Sequence, residues 1–356
     1  MHHCIFSNTR LRLSTMSYQL AAGLNRTVIG RWILEVWLIF WSLLKIMLPV
    51  LIIVRFIEIM GWITLLGEAI SPLMMWVGLP GEMGLVWVTA MASNLYAGMA
   101  IFYQLGGVEQ LTVAQVSVLA GMMLIAHGLP IEAMIAKAAG VKLWFTLLLR
   151  IGGSMVFGLI LYHSYDNLDA LQVPMSTLWQ PEASANDWLS WLTVQGKTLL
   201  AALVMIAGLT LAIHLLRYLG IEKAIHYLLS PLLRLLGIGK KATNIIVVGL
   251  TLGLSFGGGI LIREAKSGEI DGKDVFLTIA FLGLCHSIIE DTLLMLLLGA
   301  DLSAVLWARL VFSIIFIALL ARGLNALPAS QYAWLYQSTA PVTTSTVKPT
   351  TKPNIH

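Results

Sequence analysis

Two segments of the chain place a histidine a few residues before a carboxylate within apolar sequence, and these side chains are the best suited to chemistry. His127 precedes Glu132, and His286 precedes Glu290 and Asp291. Imidazole exchanges a proton near neutral pH, and imidazole with carboxylate also binds divalent metal ions. We therefore expect both segments to contribute to one site that binds a proton, a metal ion or a cationic solute.

The spacing within each segment predicts how the side chains are positioned. On a straight helix, five residues would turn His127 and Glu132 about 140° apart, so the pair would not share a face. Pro130 predicts a break that could bring the carboxylate back towards the histidine. His286 and Glu290 are four residues apart, which predicts a shared face on one helix.

The same residues also suit a structural role, and the sequence leaves both interpretations open. Each histidine could bond a neighbouring carbonyl group, and the acids could pair with Arg150 and Arg309. Glu132 and Asp291 also lie near the starts of two short predicted helices, at 131–139 and 291–299. A negative charge is favourable at a helix start.

Two clusters of small residues predict helix breaks that could line a cavity. The first covers 93–98 and contains Asn94 and Tyr96, and the second covers 255–259, where Ser255 precedes a run of three glycines. Glycine costs about 1 kcal/mol per residue in a helix, and a broken membrane helix exposes backbone groups to a cavity. We expect Asn94, Tyr96 and Ser255 to hydrogen-bond a solute. Close helix packing through small residues is the alternative.

Part of the chain recurs 159 residues later without a gap. The recurring positions are polar residues, glycines and a proline that interrupt apolar runs: Ser71-Pro72 with Ser230-Pro231, Gly78 with Gly237, His127 with His286, Glu132 with Asp291, Gly140 with Gly299, and Arg150 with Arg309. Agreement in one register predicts two homologous helical repeats. In transporters built from internal repeats, the binding site lies at their interface.

Composition places the chain in a membrane. The 356 residues are 58% hydrophobic and only 11% charged, against roughly 25% charged in soluble domains. Several apolar runs reach the roughly 20 residues that span a bilayer. We predict an all-α polytopic membrane protein with broken helices and short in-plane helices. The sequence shows no enzyme motif and no basic-aromatic cluster, so we predict neither catalysis, a cofactor nor nucleic-acid binding.

Charge and composition suggest five segments. These are a cytoplasmic tail (1–32), a first repeat (33–163), a polar linker without Lys or Arg (164–195), a second repeat (196–325) and a disordered tail (326–356). Basic termini and a linker without cations predict both termini in the cytoplasm and an inverted arrangement of the repeats. The two cysteines predict no disulfide, and either Met1 or Met16 could start translation.

The residues resemble the nucleoside-recognition, or Gate, domain proteins, which include parts of nucleoside transporters, ferrous-iron permeases and spore-maturation membrane proteins. The stretch HSIIEDTL at 286–293 is similar to bacterial Gate proteins of unknown function, and the Asn94 to Gly98 break is similar to the spore-maturation pattern. The resemblance covers 40–325 and implies two Gate-like repeats. The cysteine and the GTPase domain expected of iron permeases have no clear counterpart here.

These observations predict a bacterial inner-membrane secondary transporter of a small solute, with nucleoside-like solutes among the candidates and H⁺ or Na⁺ as the coupling ion. Two alternatives stay open: a divalent-cation permease, and a membrane assembly or maturation factor that transports nothing. The expected partners are a small molecule or ion and the lipid bilayer. A homo-oligomer is an open question.

Overall fold

The computed structural model describes residues 28–105, 111–176, 188–235, 238–268, 270–326, 328 and 335–336. In these ranges the chain forms α-helices and no β-strand, apart from two isolated β-bridges. The prediction of an all-α membrane protein is therefore confirmed.

The helices of the first part of the chain are α1 (Val28–Ile59), α2 (Trp62–Trp76), α3 (Met83–Ala92), α4 (Leu95–Gln104), α5 (Val113–Ile125), α6 (Leu129–Ala138) and α7 (Leu143–Asn167). Those of the second part are α8 (Trp188–Tyr218), α9 (Ile221–Leu235), α10 (Lys240–Leu252), α11 (Leu254–Ser267), α12 (Gly272–Leu284), α13 (Glu290–Leu297) and α14 (Arg309–Ala326), with a π-helical turn (Ser303–Ala308) before α14.

Four helical stretches of the described residues are long and apolar enough to cross a membrane. They are Val113–Ala138, Leu143–Asn167, Trp188–Leu216 and Ser303–Ala326. The helices α7 and α8 both extend into the 164–195 segment expected as a linker, of which 177–187 lie outside the described residues. The orientation of the short helices relative to the bilayer stays a prediction.

Helices α5 and α12 form the centre of the protein. From Val116 to Ile125 and from Val275 to Leu284, the side chains on every face are buried. A helix that is apolar all round is one that neighbours cover on all sides. Helix α5 packs on α7, and α12 packs on both α7 and α14.

Local sequence explains where the central helices begin. Thr112 and Gln115 form a capping box at the start of α5, in which each side chain accepts a hydrogen bond from the other residue's backbone. Such a cap contributes about 1 kcal/mol. The Gln115 side chain also donates to the Gly78 carbonyl at 3.0 Å, which fixes the loop after α2 against α5.

Helix limits recur at the spacing found in the sequence. Helices α2 and α9 begin and end 159 residues apart (62 to 221 and 76 to 235), and so do α5 and α12 (113 to 272 and 125 to 284). Gly140 and Gly299 both adopt positive φ, 103° and 99°, just after α6 and α13. Homology and inversion of the two halves stay predictions.

One predicted helix break lies elsewhere. We expected the glycine run at 257–259 to interrupt a helix, but these residues lie within α11. The break falls at Gly253, whose φ of 87° suits glycine and ends α10. The first predicted break does occur at Ser93 and Asn94, between α3 and α4.

Candidate functional site

Breaks in the two central helices position the histidines. Helix α5 ends at Ile125, and Gly128 reverses the chain with φ 58° before α6. Helix α12 ends at Leu284, and Ser287 occupies the same left-handed region with φ 46°. Serine is rarely found there, because its Cβ meets the backbone. His127 and His286 each lie one residue before such a turn, outside regular helix.

Hydrogen bonds to neighbouring helices fix both turns. The Gly128 N–H donates to the Ala90 carbonyl at 3.0 Å, and the Ser287 N–H donates to the Gly249 carbonyl at 3.3 Å. Ala90 lies in α3 and Gly249 in α10. Each turn is therefore held by the helix that itself breaks a few residues later, at Asn94 and at Gly253 respectively.

The two histidines meet in the protein interior. Their Nε2 atoms are 3.2 Å apart, and the residues are only 7% and 2% exposed. The side chains come from the two halves of the chain, at positions 159 residues apart. The structure thus brings together the two segments that the sequence singled out.

The second nitrogen of each ring determines the protonation pattern. His127 Nδ1 lies 3.0 Å from the Met123 carbonyl, and His286 Nδ1 lies 2.7 Å from the Leu282 carbonyl. A carbonyl oxygen only accepts hydrogen bonds, so each Nδ1 carries the hydrogen. A neutral imidazole holds one such hydrogen. In the neutral pair both Nε2 atoms therefore point lone pairs at each other.

The two acids extend this cluster of acceptors. Glu132 Oε1 lies 3.2 Å from His286 Nε2 and 3.6 Å from His127 Nε2. Asp291 Oδ2 is 4.0 Å and 3.9 Å from the same two nitrogens, and this buried oxygen makes no hydrogen bond of normal geometry with the described residues. The break at His127 and Gly128 does bring Glu132 back to its histidine, as Pro130 predicted.

Two fully buried arginines, Arg150 and Arg309, hydrogen-bond the backbone next to the histidines and lie close to the two acids. Arg150 donates to the carbonyls of Ile125 and His127 at 2.8 and 2.9 Å, and to the Glu132 carboxylate. These carbonyls belong to the broken end of α5, where no helical N–H is left to bond them. The guanidinium therefore replaces lost helical hydrogen bonds and also neutralises an acid.

Arg309 repeats this arrangement in the second half. It donates to the Leu284 and His286 carbonyls at 3.2 and 3.0 Å, and to Leu124 of the first half at 3.3 Å. Its distance to the Asp291 carboxylate is 3.9 Å, beyond hydrogen-bonding range. The second acid is thus held less tightly than the first.

The geometry defines what the site can do. Two guanidinium groups balance two carboxylates, and two imidazole lone pairs face each other with a carboxylate oxygen beside them. A hydrogen-bond donor or a positive charge shared among these atoms would remove the repulsion. The cluster is therefore suited to hold one proton or one small cation.

Glu290 lies elsewhere, contrary to the expectation that it shares a helix face with His286. That expectation was wrong because α12 ends at Leu284 and α13 begins only at Glu290, so no continuous helix joins the two residues. Glu290 instead lines a cavity together with Tyr96. Asp291 is the acid that reaches the histidines.

The remaining predicted site residues have individual environments. The Asn94 side chain caps α4 by accepting from the Ala97 N–H at 2.9 Å. Tyr96, in the first turn of α4, lines two adjoining cavities. The side chain of Ser255 lies outside the described residues, although its backbone belongs to α11. Contact between any of these three and a solute stays a prediction.

Tyr96 and Leu209 separate the two cavities. One of about 610 Å³ lies mainly between α4 and α8 and is largely apolar, with Lys197 on its wall. The other, of about 410 Å³, lies between α1, α4, α8, α10 and the start of α13. Both volumes fall in the range of ligand-binding pockets.

The smaller cavity includes polar residues that sequence reasoning missed. Its wall contains Glu35 from α1, Thr210 from α8 and Thr251 from α10. His214 Nε2 lies 3.5 Å from the Glu35 carboxylate. The only sequence signal for this pair was that Glu35 and His214 each interrupt an apolar run. The two positions do not correspond in the 159-residue register, so the repeat did not connect them.

Comparison with known proteins gives one informative match. The chain is 30% identical over 286 residues to a Bacillus subtilis (strain 168) protein described as the uncharacterized membrane protein YvoD, covering 77% of this chain and 88% of the relative. No protein-family model matches the chain, and no solved structure matches it. The resemblance to Gate proteins therefore stays a prediction.

Proposed function

We propose that this chain, which belongs to the family of the Bacillus subtilis membrane protein YvoD, uses its buried histidine pair for transport across the membrane. The chain is a membrane protein, and its described residues include four helical stretches suited to span a bilayer. The function we propose is that of a bacterial inner-membrane permease, a secondary transporter that couples the movement of a small solute to H⁺.

The observation that carries the proposal is the contact between His127 and His286. Ionisable side chains in a membrane interior cost several kcal/mol and tend to mark ion or proton pathways. Here both Nε2 atoms lack a donor while a carboxylate oxygen lies 3.2 Å from one of them. A proton from either side of the membrane would complete the pair, so the pair has the chemistry of a coupling site.

Alternating access provides a way to move that proton. We propose that the two halves are inverted repeats that rock against each other. The recurring helix limits and the recurring hydrogen bonds of Arg150 and Arg309 support this arrangement. Separation of the halves would part the histidines, remove the shared proton's second acceptor and release it.

Each predicted residue has a role in this scheme. His127 and His286 hold the proton, and the Glu132 and Asp291 carboxylates, each within 4.0 Å of an Nε2 atom, lie beside it. Glu290 lies at the start of α13, one residue before Asp291, and faces a cavity large enough for a solute. The proposed solute contacts are Glu290, Tyr96, Asn94 and Ser255.

A divalent-cation permease is the second candidate. The ligand atoms of His127, Glu132 and His286 all lie within 4.8 Å of one another, a set that could hold a metal ion. Two guanidinium groups already neutralise the local acids, however, so a divalent ion would leave the buried cluster with two excess positive charges, whereas a proton would leave one. That charge balance favours the proton. Metal-dependent thermal stabilisation, lost in a His127→Ala, His286→Ala double variant, would favour the metal.

A membrane assembly factor that transports nothing is the third possibility. In that case the histidines, acids and arginines only join the two halves. Cells carrying Glu290→Ala and Asp291→Ala would then keep the wild-type phenotype, and deletion of a partner protein would reproduce the loss of function.

A solute screen followed by uptake tests the proposal. Purified protein is screened by thermal shift against nucleosides, amines, small acids and metals, and stabilising solutes are offered to proteoliposomes with and without an inward proton gradient. We expect at least one solute whose uptake the gradient accelerates and which Asp291→Ala, inserted normally, no longer transports. Uptake unchanged by both the gradient and the variant would contradict proton coupling at this site.

A further inference from the structure

The cavity of about 410 Å³ beside the histidine cluster has a chemistry of its own. Two carboxylates lie on its wall, Glu35 from α1 and Glu290 from the start of α13. The residues that line it include neither lysine nor arginine. The cavity is open at this wall, since Glu290 is exposed and the Glu35 side chain, 3.5 Å from His214, is 43% exposed. A cavity wall with this sign of charge attracts a positive ligand.

The hydroxyl groups on the wall strengthen this preference. The Thr210 hydroxyl donates to the Ile206 carbonyl of its own helix. The Thr251 hydroxyl donates to the Val247 carbonyl at 3.0 Å. With their hydrogens used in this way, both oxygens can only accept from a ligand in the cavity. The wall therefore presents hydrogen-bond acceptors, which suit a ligand that carries hydrogen-bond donors.

Tyr96 adds a polar group to the same wall, beside the Glu290 carboxylate. Its side chain belongs to a residue that is only 9% exposed and that lines the cavity. Its buried hydroxyl makes no hydrogen bond of normal geometry within the described part of the chain. A buried hydroxyl without a partner costs about 1–3 kcal/mol, so such groups are normally satisfied by a ligand or water.

Size and shape narrow the class of ligand. The volume is well above that of a bare ion and falls within the range of small-molecule sites. Apolar side chains from α1, α8 and the turn before α13 complete the wall, among them Ile39, Ile213 and Ile289. A ligand that satisfies both kinds of surface has a donor-rich cationic group and a short hydrocarbon body.

We infer that this cavity binds a small organic cation, with an ammonium or guanidinium group held by Glu35 and Glu290 and a hydrocarbon part against the isoleucines. Its role as the transported solute rests on the permease function proposed above. Binding itself does not depend on that function and can be measured without transport.

Equilibrium binding to the purified full-length protein tests the inference. Isothermal titration calorimetry uses butylammonium and butylguanidinium as probes, with butanol, butyrate and sodium chloride at equal concentration for comparison. We expect both organic cations to bind, and the neutral, anionic and inorganic probes to bind at least tenfold more weakly. Equal binding of butanol would indicate an apolar groove for lipid chains, equal binding of sodium a plain cation site, and no binding of the organic cations would end the inference.

Three variants and one control locate the site. Glu35→Gln and Glu290→Gln each remove one charge with little change of shape, and we expect at least tenfold weaker binding of butylammonium. Tyr96→Phe removes only the hydroxyl and should weaken binding several-fold, which keeps the test available if a glutamine variant fails to fold. The matched control is Glu82→Gln, at an exposed position before α3, and it should bind as the wild type does.

The outcomes separate this inference from the permease proposal. Organic-cation binding that depends on Glu35 and Glu290, without any uptake in proteoliposomes, would keep the binding site and contradict transport. Proton-coupled uptake of another solute, with butylammonium affinity unchanged in both glutamine variants, would keep the permease and reject this site.

Discussion

His127 and His286 face each other with their Nε2 atoms 3.2 Å apart, while each Nδ1 donates to a carbonyl of the helix that precedes it. The arrangement is unusual because each ring uses its only hydrogen to stay attached to its own helix. A hydrogen bond between the two Nε2 atoms therefore needs an additional proton, which neither neutral ring supplies. This relationship makes the contact between the two halves of the chain sensitive to protonation.

The first prediction concerns the hydrogens of these rings. With ¹⁵N-labelled histidine in lipid bilayers, we expect both Nδ1 atoms to be protonated in every state. Both Nε2 atoms should be bare in the neutral pair, and one should be protonated and hydrogen-bonded to the other when the pair holds its proton. Resonances are assigned by their loss in His127→Gln and His286→Gln, with the exposed His163→Gln as the control. Two rings protonated at Nε2 and bare at Nδ1 would contradict the tautomers derived from the carbonyl contacts.

The second prediction concerns Arg150. Arg150→Met leaves the Glu132 charge buried without its partner and leaves the Ile125 and His127 carbonyls unbonded. We expect a loss of roughly 3–5 kcal/mol in unfolding free energy, as found when one partner of a buried ion pair is removed. Unfolding in mixed micelles measures the loss.

A second substitution separates charge from packing. Adding Glu132→Gln to Arg150→Met removes the uncompensated charge, so we expect the double variant to regain part of the lost stability. Arg309→Met should cost less, because the Asp291 carboxylate is already 3.9 Å from that guanidinium. A cost below about 1 kcal/mol for Arg150→Met would mean that the arginine does not hold the acid in place.

The third prediction concerns the turn after His127. Gly128 has φ 58°, and a Cβ added there would lie 3.3 Å from Glu132 Oε1. Gly128→Ala should therefore cost about 1–2 kcal/mol and displace Glu132 from the histidines. Gly152→Ala, within α7 and in contact only with the Leu148 side chain at 3.9 Å, is the control and should be neutral or stabilising. Equal thermal unfolding midpoints for the two variants would show that alanine is not strained at the positive φ of position 128.

The fourth prediction concerns topology. Residues 164–195 contain no Lys or Arg, whereas both terminal tails are basic. The positive-inside rule then places a reporter fused after residue 180 on the outer side of the inner membrane, and a reporter at the C-terminus in the cytoplasm. Alkaline phosphatase and green fluorescent protein fusions distinguish the two sides. A cytoplasmic signal at residue 180 would reject the inverted arrangement.

Much of the fold could be predicted from sequence because the apolar runs and their interruptions are local signals. Pro130 and the Asn94 region predicted breaks that the structure contains. The glycine run at 257–259 misled because glycine lowers helix propensity by only about 1 kcal/mol per residue, which does not by itself end a helix. The break went to Gly253, where a positive φ is required.

The site could be predicted only in part, because its geometry depends on contacts between distant segments. Spacing alone placed Glu290 beside His286, but the end of α12 at Leu284 gave that position to Asp291. Glu35 and His214 do not correspond to each other in the repeat register, where they align with Val194 and Arg55, so nothing in the sequence joined them. Only the packing of α1 against α8 brings these two together.

Proton movement in proteoliposomes tests the central claim most directly. Protein is reconstituted with a pH-sensitive dye inside, and a gradient of a transported solute is imposed from outside. We expect the wild type and His163→Gln to move protons with the solute, while His127→Gln and His286→Gln each lose more than tenfold of that flux and the double variant loses no more than either one. Undiminished, solute-driven proton movement in the correctly inserted double variant would show that the histidine pair is not the coupling site.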